Sequence, residues 1–408
     1  MMKSAGIRIM RLVQFTLGTA LMIAVAGMGC VGMQDATAAT NGEERDPGIT
    51  DHEILFGQSA VFSGPSKALG QGMRLGIEAA FYEVNQAGGV HGRELRLKTM
   101  DDSYETDYAY HTTKWLIEKV GVFALIGAVG TPTTRVASPV AHDAGVPFLA
   151  PFTGAEFLRD AALDNVVNVR ASYYQETEEM VARLTEEGIT RVAVFYQDDS
   201  FGTNGLEGVR RALERRGLEP IGAWSYQRNS GAVRRAASSL VESDPEAVVM
   251  IGTQDAVATT TELVRQDIDP VMLTVSFVGG EALAKALGPE GQGIYVTQVV
   301  PFPEDASIPL IARYGAALAE YAPQAEPGFV SLEGYLAGRL AVYGLEECGR
   351  EPSRECLLET LHNPAVIDID GFRLEFGDGD NQGSDEVFLT VIGPDGEYRQ
   401  VEKLDVAR

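Results

Sequence analysis

Apolar and polar positions alternate along this chain in two interleaved periods. Ile54-Leu55-Phe56-Gly57 is a short apolar run closed by the turn Ser63-Gly64-Pro65. From Gly70 to Gln86 the apolar residues Met73, Ile77, Ala80, Phe81 and Val84 recur at helical spacing, and Gly88-Gly89 ends the run as C-capping glycines do. Leu95–Met100 predicts a second strand ending in Asp101-Asp102, Thr106–Lys119 a second helix, and Val122–Gly127 a buried strand. Strands and helices alternating at this interval predict βαβ units and a parallel sheet.

The pattern restarts after about residue 171. Arg191–Tyr196 predicts a strand, Gly205–Arg216 a helix stopped by Gly217, and Ala247–Gly252, Met272–Val275 and Gly293–Thr297 three further strands. This second unit ends near Val300-Pro301, yet more than a hundred residues remain. They hold two helical stretches, Pro309–Tyr321 and Ser331–Glu347, and a β-rich tail from Gly371 onward. A chain that enters a second lobe and then returns to finish the first accounts for that remainder. The 408 residues suffice for two domains, each with its own core.

Charge narrows the partners. The 58 Asp+Glu against 33 Lys+Arg give −25, a surface that repels phosphate backbones and anionic lipid and makes nucleic acid a poor partner. Lys3, Arg8 and Arg11 precede an uncharged run from Leu12 to Gly29, and Ala36-Thr37-Ala38 offers a small-x-small cleavage site. Residues 1–38 are therefore expected to be a signal peptide, in preference to a membrane anchor. Lipid attachment at Cys30 is the lesser alternative, since Gly27 and Met28 fit a lipobox poorly. Residues 40–51, polar and carrying Gly and Pro, read as a leader to the fold. Without residues 1–38 the balance is 57 acids to 30 bases, or −27. Only seven of the 33 basic residues are lysine, and acid excess with scarce lysine suits a protein bathed in concentrated salt. Cys348 and Cys356, with Gly349, Arg350 and Pro352 between them, are candidate disulfide partners in an oxidising setting.

Catalytic signatures are scarce. His52, His91, His111, His142 and His362 show no zinc-binding spacing, and no Walker loop or Gly-x-Ser-x-Gly elbow occurs. Gly288–Gly293 lacks the glycine spacing and preceding strand of a dinucleotide turn. Asp101-Asp102 and Asp198-Asp199 suit helix capping at strand ends better than catalysis. No enzyme activity, metal or cofactor is expected. The positive signal is two strand-end loops, Ala128–Thr134 and Pro151–Ala155, that bring glycine, hydroxyls and a helix start together. Such loops present backbone N–H groups and hydroxyls to an anion such as a carboxylate. Equally, Thr131, Thr133 and Thr153 can serve as N-caps.

In these residues the sequence resembles the type I periplasmic solute-binding proteins of the leucine/isoleucine/valine-binding family. The ordered series runs from Ile54–Gly57, Ser63-Gly64-Pro65 and Gly70 through Asn85–Arg93, Asp101-Asp102 and Ile126-Gly127 to Val146-Pro147 and Tyr196–Gly202. The resemblance implies an α/β fold of two Rossmann-like lobes with parallel-sheet cores, joined by three crossovers near Arg170-Ala171, Val299-Val300 and Gln382–Asp385. Lobe 1 would take residues 52–170 and 300–383, and lobe 2 residues 171–299 and 384–408. Ligand would lie in the cleft, which closes by hinge motion. By position, Thr131 corresponds to the hydroxyl that binds a ligand carboxylate, and Phe152, Thr153 and Gly154 to the segment that holds an amino acid's α-groups. Phe201, with Tyr196 five residues earlier, falls where lobe 2 supplies an aromatic ring; Thr253 and Gln254 occupy the next contact loop. Two positions depart from the branched-chain pattern: Leu69 replaces a tyrosine, and Ser276 a glutamate that pairs with the ligand ammonium. Asp199, Asp255 and Glu333 are candidate substitutes for that carboxylate. The implied role is an exported substrate-binding protein of an ABC importer, working as a monomer with permease and ATPase subunits in the periplasm. It would carry an amino-acid-like solute or a small amide or carboxylate; the rival role is a periplasmic sensing subunit for a histidine kinase or chemoreceptor.

Overall fold

A computed structural model of the chain describes residues 45–363, 366–377 and 379–405. The expected signal peptide and Cys30 lie outside them. The first part of the chain runs β1 (Glu53–Ala60), α1 (Lys67–Gln86), β2 (Glu94–Asp101), α2 (Thr106–Trp115), β3 (Ala124–Ile126), α3 (Thr131–Asp143), β4 (Phe148–Leu149) and β5 (Val166–Val167). These strands form a five-stranded, all-parallel sheet in the order β2-β1-β3-β4-β5. The second part runs α4 (Tyr173–Glu186), β6 (Val192–Gln197), α5 (Ser200–Glu214), β7 (Gly222–Tyr226), α6 (Arg234–Ser243), β8 (Ala247–Ile251), α7 (Gln254–Val264), β9 (Val271–Thr274), α8 (Gly280–Leu287) and β10 (Tyr295–Gln298).

The remainder supplies α9 (Pro309–Tyr321), α10 (Phe329–Glu347), α11 (Arg354–His362), the hairpin β11 (Val366–Ile369) and β12 (Phe372–Glu375), then β13 (Phe388–Ile392) and β14 (Tyr398–Val401). Strand β13 joins β10 antiparallel and β14 joins β13, giving a seven-stranded sheet in the order β14-β13-β10-β9-β8-β6-β7. Strand β8 is buried at every position, as a parallel strand covered by helices on both faces must be. Helix α10 returns to pack on α1. Their backbones approach so closely that a Cβ on Gly76 would stand 1.8 Å from the Ser331 carbonyl, and one on Gly334 2.3 Å from that of Met73.

The two sheets thus anchor two α/β lobes, and the chain passes between them three times: from β5 to α4, from β10 to α9, and from β12 to β13. The first and third crossovers run side by side. Asn168 N–H donates to the Asn381 carbonyl (2.8 Å), Gly383 N–H donates to that of Asn168 (2.8 Å), and the Arg159 guanidinium reaches both Gln382 (2.6 Å) and the Arg170 carbonyl (3.0 Å). Cys348 and Cys356 are joined by a disulfide across the turn between α10 and α11.

Three local expectations are corrected. Helix α5 starts at Ser200 instead of Gly205, because the Asp199 carboxylate accepts from the N–H groups of Phe201 (2.9 Å) and Gly202 (3.4 Å) and caps it there. Part of the expected leader is built into the fold: Leu55 N–H donates to the Gly48 carbonyl, Arg354 N–H to the Asp46 carboxylate, and Ile49 is buried. The β-rich tail begins at Val366, ahead of Gly371.

Candidate functional site

In both sheets the strand order reverses once, between β1 and β3 and between β6 and β8, and open α/β sheets bind ligands outside the carboxyl ends at such reversals. The strand-end loops of the two lobes face each other here. On the first lobe the loop after β3 enters α3 through Gly130, whose φ of +103° and whose closeness to the Tyr104 ring (2.2 Å to a Cβ placed there) leave room for no side chain. The Thr133 and Thr134 hydroxyls turn back and donate to the Gly130 carbonyl. Thr131 does not. Its hydroxyl meets that of Thr153, 2.7 Å away, and Thr153 in turn lies 3.3 Å from the Tyr173 hydroxyl. The two loops are tied by Phe152 N–H to the Ala128 carbonyl (2.7 Å) and by Gly130 N–H to that of Phe152 (3.2 Å). Gly154 lies flush against Tyr173, whose N–H donates to its carbonyl (2.7 Å).

Below these hydroxyls sits a buried charge cluster. Arg170, fully buried, pairs with Glu176 (3.2 Å) and Glu333 (3.4 Å), donates to the Ser276 hydroxyl, and lays its guanidinium over the Phe152 ring at 4.9 Å. Glu176 also accepts from Ser276 N–H (2.8 Å), the Ser276 hydroxyl (3.0 Å) and the Thr297 hydroxyl (2.6 Å). Burial opposes the charge on Arg170, but Glu333 and Glu176 outweigh it and hold the pKa above its ordinary value. Burial pushes Glu333 up to about 7 against the pull of Arg170, and pushes Tyr173 up to about 12, again against Arg170.

The remaining expected positions fall around this core. Phe201, fully buried in the first turn of α5, packs on Tyr173 and on Phe277. Thr253 N–H donates to the Tyr226 hydroxyl (3.1 Å), and Gln254 donates across the lobes to the Pro65 carbonyl. Leu69 is fully buried and abuts Gly279 of the other lobe. Tyr196 is half-buried and packs into the core. Its neighbour Gln197 instead reaches the cleft, 3.4 Å from the Tyr104 hydroxyl and accepting from that of Tyr226 (3.0 Å). Of the three candidate carboxylates, Asp255 is exposed, Asp199 is engaged as the α5 cap and by Arg228 (3.3 Å), and Glu333 is held by Arg170. Asp101 accepts from the N–H groups of Phe62 and Ser103, and Asp102 from that of Tyr104. Among the described residues no cluster of His, Cys, Asp and Glu is arranged to hold a metal ion.

Sequence reasoning did not place Arg170, Glu176, Phe277 or Gln197 in the site. Arg170 carried a readable signal: a lone arginine between Val169 and Ala171, in a run otherwise apolar or amide, must find a buried partner. Phe277 carried none.

Two lobes with parallel-sheet cores, three crossovers and a closed cleft at both strand reversals define a type I periplasmic binding fold. Residues 53–397 match the family described as periplasmic binding protein, and the chain belongs to it. The chain superposes with a TM-score of 0.83 on a possible leucine/isoleucine/valine-binding protein from Rhodopirellula baltica SH 1, at 35% identity over 87% of this chain and 98% of that one. With a substrate-binding periplasmic protein from Ralstonia solanacearum the TM-score is 0.81, at 27% identity over 86% and 100% of the two chains. It is also 28% identical over 188 residues to the Leu/Ile/Val-binding protein homolog 7 of Brucella abortus (strain 2308), 44% of this chain and 47% of the relative. The match thus spans about half the length of that curated relative. Among the described residues no helix is long and apolar enough to cross a membrane.

Proposed function

We propose that this chain is the exported, non-catalytic substrate-binding protein of an ABC importer, and that it captures an amino-acid-like solute or a small amide or carboxylate between its lobes. Residues 1–38 act as the signal peptide. The lobes comprise residues 52–170 with 300–383 and residues 171–299 with 384–408. Thr131 and the Phe152–Gly154 segment hold the ligand's carboxylate or amide; Leu69, Tyr196, Phe201, Thr253, Gln254 and Ser276 line the rest. The protein works as a periplasmic monomer that delivers its ligand to permease and ATPase subunits.

The observation that supports this reading is the Thr131–Thr153 hydroxyl pair, 2.7 Å apart at the start of α3 and roofed by Tyr173 of the other lobe. The helix start adds unpaired backbone N–H groups that favour an anion. A thermal-shift screen of the purified mature chain against amino acids, amides and small carboxylates tests it. At a hundredfold excess over Kd a bound solute adds about 2.7 kcal/mol of stability, so at least one compound raises the melting temperature, and Thr131→Ala diminishes that rise. No rise with any compound overturns the reading; an undiminished rise in the variant removes Thr131 from the site.

A further inference from the structure

The cleft is aromatic on both sides. Phe277 of the second lobe packs against Tyr104 (6.2 Å between ring centroids) and Phe152 (5.5 Å) of the first, and against Phe201 (4.7 Å) of its own. Parting the lobes separates Phe277 from Tyr104 and Phe152, so a ligand that holds the lobes together must offer flat apolar surface in their place. At one end of this box the polar groups can all donate. The hydroxyls of Thr131, Thr153 and Tyr173 lie together, and the Arg170 guanidinium covers Phe152 with its Nε–H wholly buried and without an acceptor.

A ligand ammonium would need a carboxylate there, because an unpaired buried cation is costly. Glu176, Glu333 and Asp199 are all committed, and Asp255 is exposed. Both oxygens of Glu176 are taken by Arg170, Ser276 and Thr297, and both oxygens of Glu333 face Arg170. Asp199 accepts from Phe201, Gly202, Gln197 and Arg228. At Ser276 the Glu176 carboxylate and the Arg170 guanidinium meet, so the position carries no free negative charge.

We infer that the ligand is an aromatic-ring carboxylate without an amino group. Its carboxylate sits against Thr131, Thr153, Tyr173 and the Arg170 Nε–H, and its ring enters between Phe152 and Phe277 as the lobes part. This inference rests on the cleft being a solute site, and it narrows the solute to one class.

Calorimetric titration of the mature chain with phenylacetate, L-phenylalanine, phenylacetamide and acetate tests it. Phenylacetate is expected to bind at least tenfold tighter than each of the other three, and Phe277→Ala to weaken it at least tenfold. Arg170→Lys, which keeps a charge but loses the Nε–H, is expected to do the same; where that variant fails to fold, Phe277→Ala carries the test. L-Phenylalanine or phenylacetamide binding as tightly as phenylacetate overturns the inference while leaving the receptor reading intact. Acetate binding as tightly, or phenylacetate affinity unchanged in Phe277→Ala, also overturns it. If none of the four compounds binds but another amino acid does, this inference alone fails. If no amino acid, amide or carboxylate binds, both fail.

Discussion

The hydroxyl corner at Thr131 and Thr153 and the charge cluster at Arg170 adjoin in the same cleft, yet they are built in opposite ways. The corner comes from two loops 22 residues apart, each following a strand of one sheet, and its members are neutral. The cluster joins Arg170 on a crossover to Glu176 on α4 and to Glu333 on α10, 163 residues away, and all three are buried. One region is local and presents donors to the cleft. The other spans both lobes and binds the chain to itself. The difference teaches that polar groups in one cleft can divide between recognition and cohesion, and that charge pairing between segments distant in the chain marks the second kind.

Charge removal breaks the comparison most strongly. Arg170→Ala leaves two buried carboxylates facing each other, and losing one partner of a buried ion pair costs about 3–5 kcal/mol. Urea unfolding of the variant is expected to show that loss, and Glu176→Gln with Glu333→Gln added to Arg170→Met to recover most of it. A loss below about 1 kcal/mol would mean the cluster contributes no more than a surface pair.

Acidity separates the two regions next. Glu333 in the folded chain titrates near 7, raised by burial above its ordinary value of 4.5. The folded state therefore binds the proton more tightly than the unfolded state does. Stability from this group is present below about pH 4.5 and declines as pH rises toward 7, by on the order of 1 kcal/mol per pH unit. Asp102, raised by burial to about 7, acts in the same direction. Comparing urea midpoints at pH 5 and 7.5 in the parent and in Glu333→Gln isolates the cluster: the variant loses less stability, or gains more, across that interval. Identical pH dependence in the two proteins would remove Glu333 from the account.

The smallest effect belongs to the corner. Thr131→Ala removes one hydroxyl from a neutral pair and is expected to cost about 1 kcal/mol in stability, measured by the same unfolding. If it destabilises as much as Arg170→Ala, the corner is as structural as the cluster and the contrast fails.

The division also explains what could be read from the sequence. The alternation of strands and helices and the loops after Gly127 and Ala150 are local features. They sufficed for the fold class and for naming Thr131, Phe152 and Thr153 as candidates, whose loops the structure joins. The Arg170–Glu333 pair exists only once α10 returns to pack beside the first crossover, and no local pattern encodes that. Tyr196 and Gln197 differ by one position on β6, and successive side chains of a strand point to opposite faces; assigning the cleft residue required the strand's facing. Phe277 lies in a run of apolar residues after β9 whose composition is that of any core, so nothing distinguished it.

The late arrival of β13 has a consequence in time. The second lobe's sheet acquires its antiparallel pair only from residues 388–401, and the first crossover finds its partners at Asn381 and Gly383. Neither lobe can complete its hydrogen bonding while the chain is still growing, whatever the speed of local helix formation. Under the export proposed for this chain, the polypeptide passes a translocation channel before these hydrogen bonds can form.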